Sequence, residues 1–100
     1  MLYTGNRIGA QEALRLGLVD YVVPMDKLMG RCEEIAVEIC KSAPLAVQRI
    51  KEAVMRGLDM PLGDGLRLEY ELYRWLHTTE DAVEGGRAFA EKRPPAWKGK

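Results

Sequence analysis

Apolar residues recur at helical spacing along most of this chain, and turn-forming residues separate one run from the next. Ile8, Ala13, Leu14, Leu16 and Leu18 give the short segment from Ala10 to Leu16 one apolar side, and Gly17 stops it. Val19 to Val23 is the only β-branched run and Pro24 closes it, which predicts a short strand or extended segment of the edge type, its partner lying elsewhere. Asp26 is placed as an N-cap for the periodic set Leu28, Met29, Cys32, Ile35, Ala36, Ile39 and Cys40, so a helix is expected to end near Lys41 and Ser42. Pro44 suits the first turn of the next helix, where Leu45, Val47, Ile50, Ala53, Val54 and Leu58 repeat and Gly57 signals the stop.

Met60 to Gly65 reads as the main break. A longer helix begins within or beyond it and reaches His77. Leu62, Leu66, Tyr70, Tyr73 and His77 form one stripe, and Leu68, Leu72, Trp75 and Leu76 form an adjoining one. Two apolar sides leave two readings open: one side meets a partner, or both wrap a small bundle. The last helix is expected from Thr79, whose side chain can accept from first-turn amides. Glu80, Asp81 and Glu84 put negative charge at its positive end, and Lys92 and Arg93 put positive charge at the other. Pro94 and Pro95 end it. Residues 94–100 read as an irregular tail in which Trp97 either packs onto a neighbour or is poorly ordered. The pattern therefore predicts a mainly α fold, a small helical assembly of about five helices with one short extended segment.

Composition narrows the chemistry. A chain of 100 residues has room for one domain with a modest core. Fifteen basic and fifteen acidic residues balance, so no net field draws in nucleic acid or an anionic membrane. No apolar run approaches the ~20 residues needed to span a bilayer, and the start lacks the layout of a signal peptide, which makes a cytoplasmic or matrix-like compartment the default expectation. Cys32 and Cys40, eight residues apart on one helix, are separated by roughly 12 Å along its axis and cannot bridge each other; both are expected as small buried hydrophobes. His77 is the only histidine and Ser42 the only serine, too few for a hydrolytic triad or a zinc site. Gly63-Asp64-Gly65 lacks the rest of a dinucleotide fingerprint, and there is no phosphate loop. Glu33, Glu34 and Glu38, like Arg49, Lys51, Glu52 and Arg56, read as solvated faces.

The exception is Phe89 with Lys92. Three residues apart on a helix, they project from one side, an aromatic plane beside a cation, which suits a ligand carrying an adenine ring and a phosphate. The same spacing also suits a buried Phe beside a surface Lys.

The wording of the closing segment, Thr79-Glu80-Asp81-Ala82-Val83-Glu84-Gly85-Gly86-Arg87-Ala88-Phe89-Ala90-Glu91-Lys92-Arg93-Pro94-Pro95, resembles the signature that ends chains of the enoyl-CoA hydratase/isomerase (crotonase) superfamily. Leu2 to Ala13, Gly17 to Pro24, Ser42 to Val47 and Lys51-Glu52-Ala53 resemble the family's preceding segments in order and spacing, so the likeness covers essentially residues 1–100. Met1 falls where such chains have an apolar residue at the end of a helix. Gly86 departs from the pattern, standing where a larger residue such as methionine is usual, and should loosen its helix by up to ~1 kcal/mol.

The resemblance implies the C-terminal helical part of the crotonase fold without its N-terminal ββα spiral core. In that family the core binds the acyl-CoA thioester, two of its backbone amides form an oxyanion hole, and acidic residues of the core move protons. The C-terminal helices complete the subunit and build trimers, often dimers of trimers. What carries over to this chain is the contact to the CoA adenosine 3′-phosphate end, at Phe89 and Lys92. No catalytic residue carries over, so the chain alone is expected to be inactive. Coenzyme A is implied as part of an acyl-CoA substrate, with no separate cofactor and no metal, and a homo-oligomer is implied for the intact enzyme. Two further readings stand beside this one: a self-standing helical oligomerisation or interaction module, and one chain of a split crotonase-type enzyme. The choice between hydratase and isomerase chemistry is open.

Overall fold

Gly9, Pro44 and Pro61 stand at the starts of three of the five α-helices in the computed structural model, which describes residues 2–100. Met1, which the family resemblance aligns with an apolar residue at the end of a helix, lies outside the described residues. The chain forms two units, Met1–Ile35 and Ala36–Lys100.

In the first unit, α1 (Ala10–Arg15) closes as the sequence predicts. Gly17 takes φ 71°, and its amide and that of Leu18 reach back to Leu14 O (3.0 Å) and Ala13 O (2.9 Å). Val19 to Val23 runs without regular structure, and no strand occurs among the described residues. A β-branched run can be extended by its own sterics, but a ladder needs a second backbone. Asp26 is not an N-cap. Pro24, with φ −56°, starts a tight turn over Met25–Lys27, closed by Lys27 N to Pro24 O at 2.9 Å, and α2 (Leu28–Cys40) follows directly. Arg31 lies 4.4 Å over the Tyr21 ring and 2.8 Å from Glu34. Cys32 and Cys40 are free, and both are exposed rather than buried, as are Met29, Val37 and Ile39 on the same helix.

The second unit is built around the hairpin of α3 (Pro44–Gly57) and α4 (Leu62–Leu76), its main helix-on-helix contact. The break expected over 60–65 is shorter than the glycines suggest, because Gly63, Asp64 and Gly65 are helical. Their chemistry explains why. A Cβ added at Gly65 would sit 3.4 Å from Gly57 O and 3.7 Å from Gly57 Cα, so the two glycines let the backbones of α3 and α4 touch. Arg49 and Glu52, read as part of a wet face, are half-buried instead. The Arg49 guanidinium lies 4.2 Å over the Trp75 ring of α4 and holds Glu52 at 2.7 Å.

Little else is covered. Among the described residues only Thr79, Asp81 and Ala88 are buried. Ile50, Val54, Leu58, Leu62 and Leu66 line an open groove of about 510 Å³ along α3 and α4, and each is more than half exposed. No helix among the described residues is long and apolar enough to cross a membrane.

Helix α5 (Glu80–Ala90) starts where the sequence places it. Thr79 Oγ1 accepts from Ala82 N (3.2 Å) and donates to Leu76 O (2.7 Å). Residues 94–100 carry no helix or strand but are firmly tied down: Trp97 Nε1 donates to Lys41 O at 2.7 Å, and its ring packs on Gly85.

The adjacent glycines of α5 should respond differently to a methyl group. Gly86 has nothing within 4 Å of a built Cβ, so Gly86→Ala is expected to stabilise the chain by about 0.5–1 kcal/mol through helix propensity. At Gly85 the Cβ would meet Trp97 at 3.3 Å, so Gly85→Ala should gain less or destabilise, as urea unfolding of the two variants will measure.

Candidate functional site

The sequence-predicted pair lies at the end of α5. Phe89 sits in the last turn and is 88% exposed, so it is not a core residue of this chain. Lys92 is not on the helix. Glu91 is the C-cap, and Lys92 follows it with φ 53°, the one non-glycine among the described residues in the left-handed region. The helical three-residue spacing expected for the pair therefore does not apply. The two residues share a closing turn instead, in which Lys92 N donates to Phe89 O (3.2 Å) and Arg93 N to Ala88 O (3.1 Å). That motif normally places glycine where Lys92 stands. Both Phe89 and Lys92 are exposed, and the Lys92 ammonium has no carboxylate partner among the described residues.

The sequence reading missed what surrounds this turn. Glu84, assigned only a dipole role, accepts from Arg93 Nη1 (2.6 Å) and Nη2 (3.1 Å) and from the Ala96 amide (2.8 Å). Arg93 also donates to Glu91 (2.5 Å) and to Pro94 O (3.1 Å). One turn earlier, buried Asp81 accepts from Lys98 N (2.7 Å) and Gly99 N (2.9 Å), while its own amide donates to Lys100 O (3.2 Å). Free amides of the first helical turn ordinarily attract an anion, and here the irregular tail meets the acidic residues placed there. Sequence alone could have flagged Asp81 and Glu84 only as acids near the start of the helix, because their partners lie 9–18 residues away in a segment without periodicity.

Other ionisable residues pair along or near the helices, among them Arg49 and Arg56 on Glu52. His77, the lone histidine, packs tilted against Tyr73 at 4.2 Å between ring centroids, with Nδ1 3.0 Å from Tyr73 O. No group of three or more potential metal ligands occurs among the described residues. An aromatic face and a free ammonium at the mouth of a rigid turn can stack on a flat ring and pair with an anion; they cannot by themselves move a proton or stabilise an oxyanion.

A family model for enoyl-CoA hydratase/isomerase matches residues 1–100. Carnitinyl-CoA dehydratase from Citrobacter koseri is 43% identical over 104 residues, covering 100% of this chain and 40% of that protein. The crystal structure of an enoyl-CoA hydratase from Bacillus anthracis superposes with a TM-score of 0.94 at 45% identity, over 98% of this chain and 38% of that one. An enoyl-CoA hydratase/isomerase from Mycobacterium paratuberculosis gives a TM-score of 0.91 at 40% identity, over 97% and 38%. The chain thus spans about 40% of the length of the curated relative it matches.

The electrostatics of the clamp can be read by titration. Hydrogen bonds from Arg93 first, and then from the Ala96 amide, lower the Glu84 pKa from 4.5 to about 2. A carboxyl depressed on folding favours the folded form fully above pH 4.5 and ceases to do so as pH falls from there towards 2. The Ala96 amide resonance is therefore expected to titrate well below pH 4.5, and Glu84→Gln should abolish that transition.

Proposed function

The chain belongs to the enoyl-CoA hydratase/isomerase family, and from that membership we propose that it serves as the C-terminal helical part of an acyl-CoA hydratase or isomerase. In this reading it joins subunits into a homo-oligomer and touches the adenosine 3′-phosphate end of coenzyme A. The observation that carries the reading is the uncovered apolar groove of α3 and α4 in a chain that matches only 38% of a hydratase structure. Such a surface fits helices whose core is completed by other protein, either the portion of these enzymes that the chain does not match or a neighbouring subunit.

Within that frame the two exposed residues have distinct tasks. The Phe89 ring offers a stacking surface for the adenine, and the Lys92 ammonium offers a charge-assisted hydrogen bond to a phosphate. Neither touches the thioester. The polarisation of the carbonyl and the proton transfers are assigned to the unmatched portion, and no catalytic residue is assigned to this chain. Binding at the nucleotide end would hold the acyl group near that apparatus without acting on the reacting bond.

A hybrid tests the proposal. In the Bacillus anthracis hydratase, the segment aligned with this chain is replaced by it. The hybrid is expected to hydrate crotonyl-CoA as a defined oligomer, and this chain alone is expected to show no turnover. Lys92→Ala in the hybrid should weaken crotonyl-CoA by roughly 1–3 kcal/mol, about 5–150-fold in kcat/KM, and leave the crotonyl-pantetheine thioester unaffected. Equal losses on the two thioesters would remove the phosphate contact from the proposal, and turnover by the chain alone would overturn the placement of catalysis elsewhere.

A further inference from the structure

Lys92 adopts a backbone conformation that lysine rarely takes, and the structure supplies a device that imposes it. Its φ of 53° places it where the closing turn of a helix ordinarily carries glycine. On the helix side the turn is fixed by Lys92 N to Phe89 O and Arg93 N to Ala88 O. On the tail side the next residue, Arg93, is gripped through both terminal nitrogens by Glu84, and the same carboxylate takes the Ala96 amide. Glu84 stands on α5 itself, so it ties the chain entering the turn to the chain leaving it. Its side chain is only 18% exposed and that of Arg93 35%, so solvent screens this pair less than the open pairs of the other helices.

We infer that Glu84 is a positioning residue for Lys92: by clamping Arg93 and the Ala96 amide it holds Lys92 left-handed, so that its ammonium and the Phe89 ring are presented together from one rigid turn. The inference rests on the proposed reading of Phe89 and Lys92 as a nucleotide contact, and it adds the group that gives the contact its geometry. Two geometric observations support it, and the electrostatics agree with them. The strained residue is the one to which recognition is assigned, which is where backbone strain is characteristically kept. The clamp brackets that residue rather than including it, leaving the Lys92 side chain exposed and unpaired. The depressed pKa of Glu84 is consistent with a carboxylate that stays ionised, and the clamp formed, throughout the neutral range.

The test uses this chain and 3′-phosphoadenosine 5′-diphosphate as the probe, with NMR reading the Lys92 and Phe89 side chains and the Lys92 backbone couplings that report the sign of φ. All spectra are taken well below each variant's unfolding temperature. The unmodified chain is expected to show a positive φ at Lys92 and saturable shifts at both side chains. In Glu84→Gln the positive φ should be lost or averaged and the probe weakened at least fivefold, with α5 still helical. Glu84→Asp, which keeps the charge, should recover part of both. Glu84→Gln with the positive φ and the affinity intact would overturn the positioning role while leaving the nucleotide contact standing, provided Lys92→Ala still abolishes the shifts. Lys92→Ala binding like the unmodified chain, or an unmodified chain that does not shift with the probe, would remove the contact itself and this inference with it. A Glu84→Gln chain that merely unfolds at lower temperature, with unchanged φ and affinity when folded, would mark the clamp as purely structural and refute the inference.

Discussion

Apolar surface left in water is the constraint on which everything else in these helices depends. Five side chains along the α3–α4 groove, Ile50, Val54, Leu58, Leu62 and Leu66, are each more than half exposed. Covering them would contribute on the order of 5–10 kcal/mol. That is comparable to the whole net stability of a typical domain, roughly 5–15 kcal/mol. A hairpin of two helices cannot supply this cover, because each helix shields one stripe of the other and the rest faces out. The Gly57–Gly65 contact sharpens the point. It brings the two backbones close and removes side chains from the crossing, so the hairpin gains proximity without gaining core.

The end of the chain solves its local problem differently, with hydrogen bonds in place of apolar burial. Of the three residues buried among the described ones, two are polar, Thr79 and Asp81, and the third is alanine. Asp81 accepts two amides of the tail and donates its own amide to a third residue there, while Trp97 covers Gly85 and donates to Lys41 O. A buried carboxylate is costly unless its oxygens are satisfied, and here both oxygens are. The tail is irregular because its backbone groups bond to side chains of α5 instead of to one another.

These differences follow what the sequence could and could not reveal. Thr79 as N-cap and Gly17 as terminator were legible because their partners lie within a turn of them, and local chemistry has local signatures. Asp26 was misplaced because Pro24 starts a tight turn first, and two valid start signals two residues apart compete without an outside arbiter. Gly63 and Gly65 suggested a break because glycine disfavours helix interiors, yet tertiary contact can override propensity wherever two backbones must touch. Cys32 and Cys40 were placed by periodicity on a buried stripe; periodicity identifies an apolar face but not whether anything covers it. At the candidate site Phe89 and Lys92 were singled out by spacing and given their role by resemblance, whereas the link between Glu84 and Arg93 and the left-handed turn were not legible, since neither leaves a periodic trace.

A lysine in left-handed conformation carries a penalty of about 1–2 kcal/mol that glycine at the same position avoids. Folding alone gives no reason to prefer it, because the closing turn needs only backbone hydrogen bonds, and glycine forms those more easily. Nor does the Lys92 side chain repay the cost within the chain, having no carboxylate partner among the described residues. On the proposed reading, the compensation comes from what surrounds the residue and from the contact its ammonium makes. Charge-assisted hydrogen bonds are the strong class, and Glu84 concentrates three contacts on the chain that follows this one residue. Their effect is to fix direction. A lysine on a freely fraying helix end would spread its ammonium over many rotamers and lose much of any ion pair to ordering, whereas one leaving a clamped turn has less freedom to surrender. On the proposed reading, a small, exposed two-residue contact would then hold one end of a long ligand, while the apolar faces of α3 and α4 remain exposed.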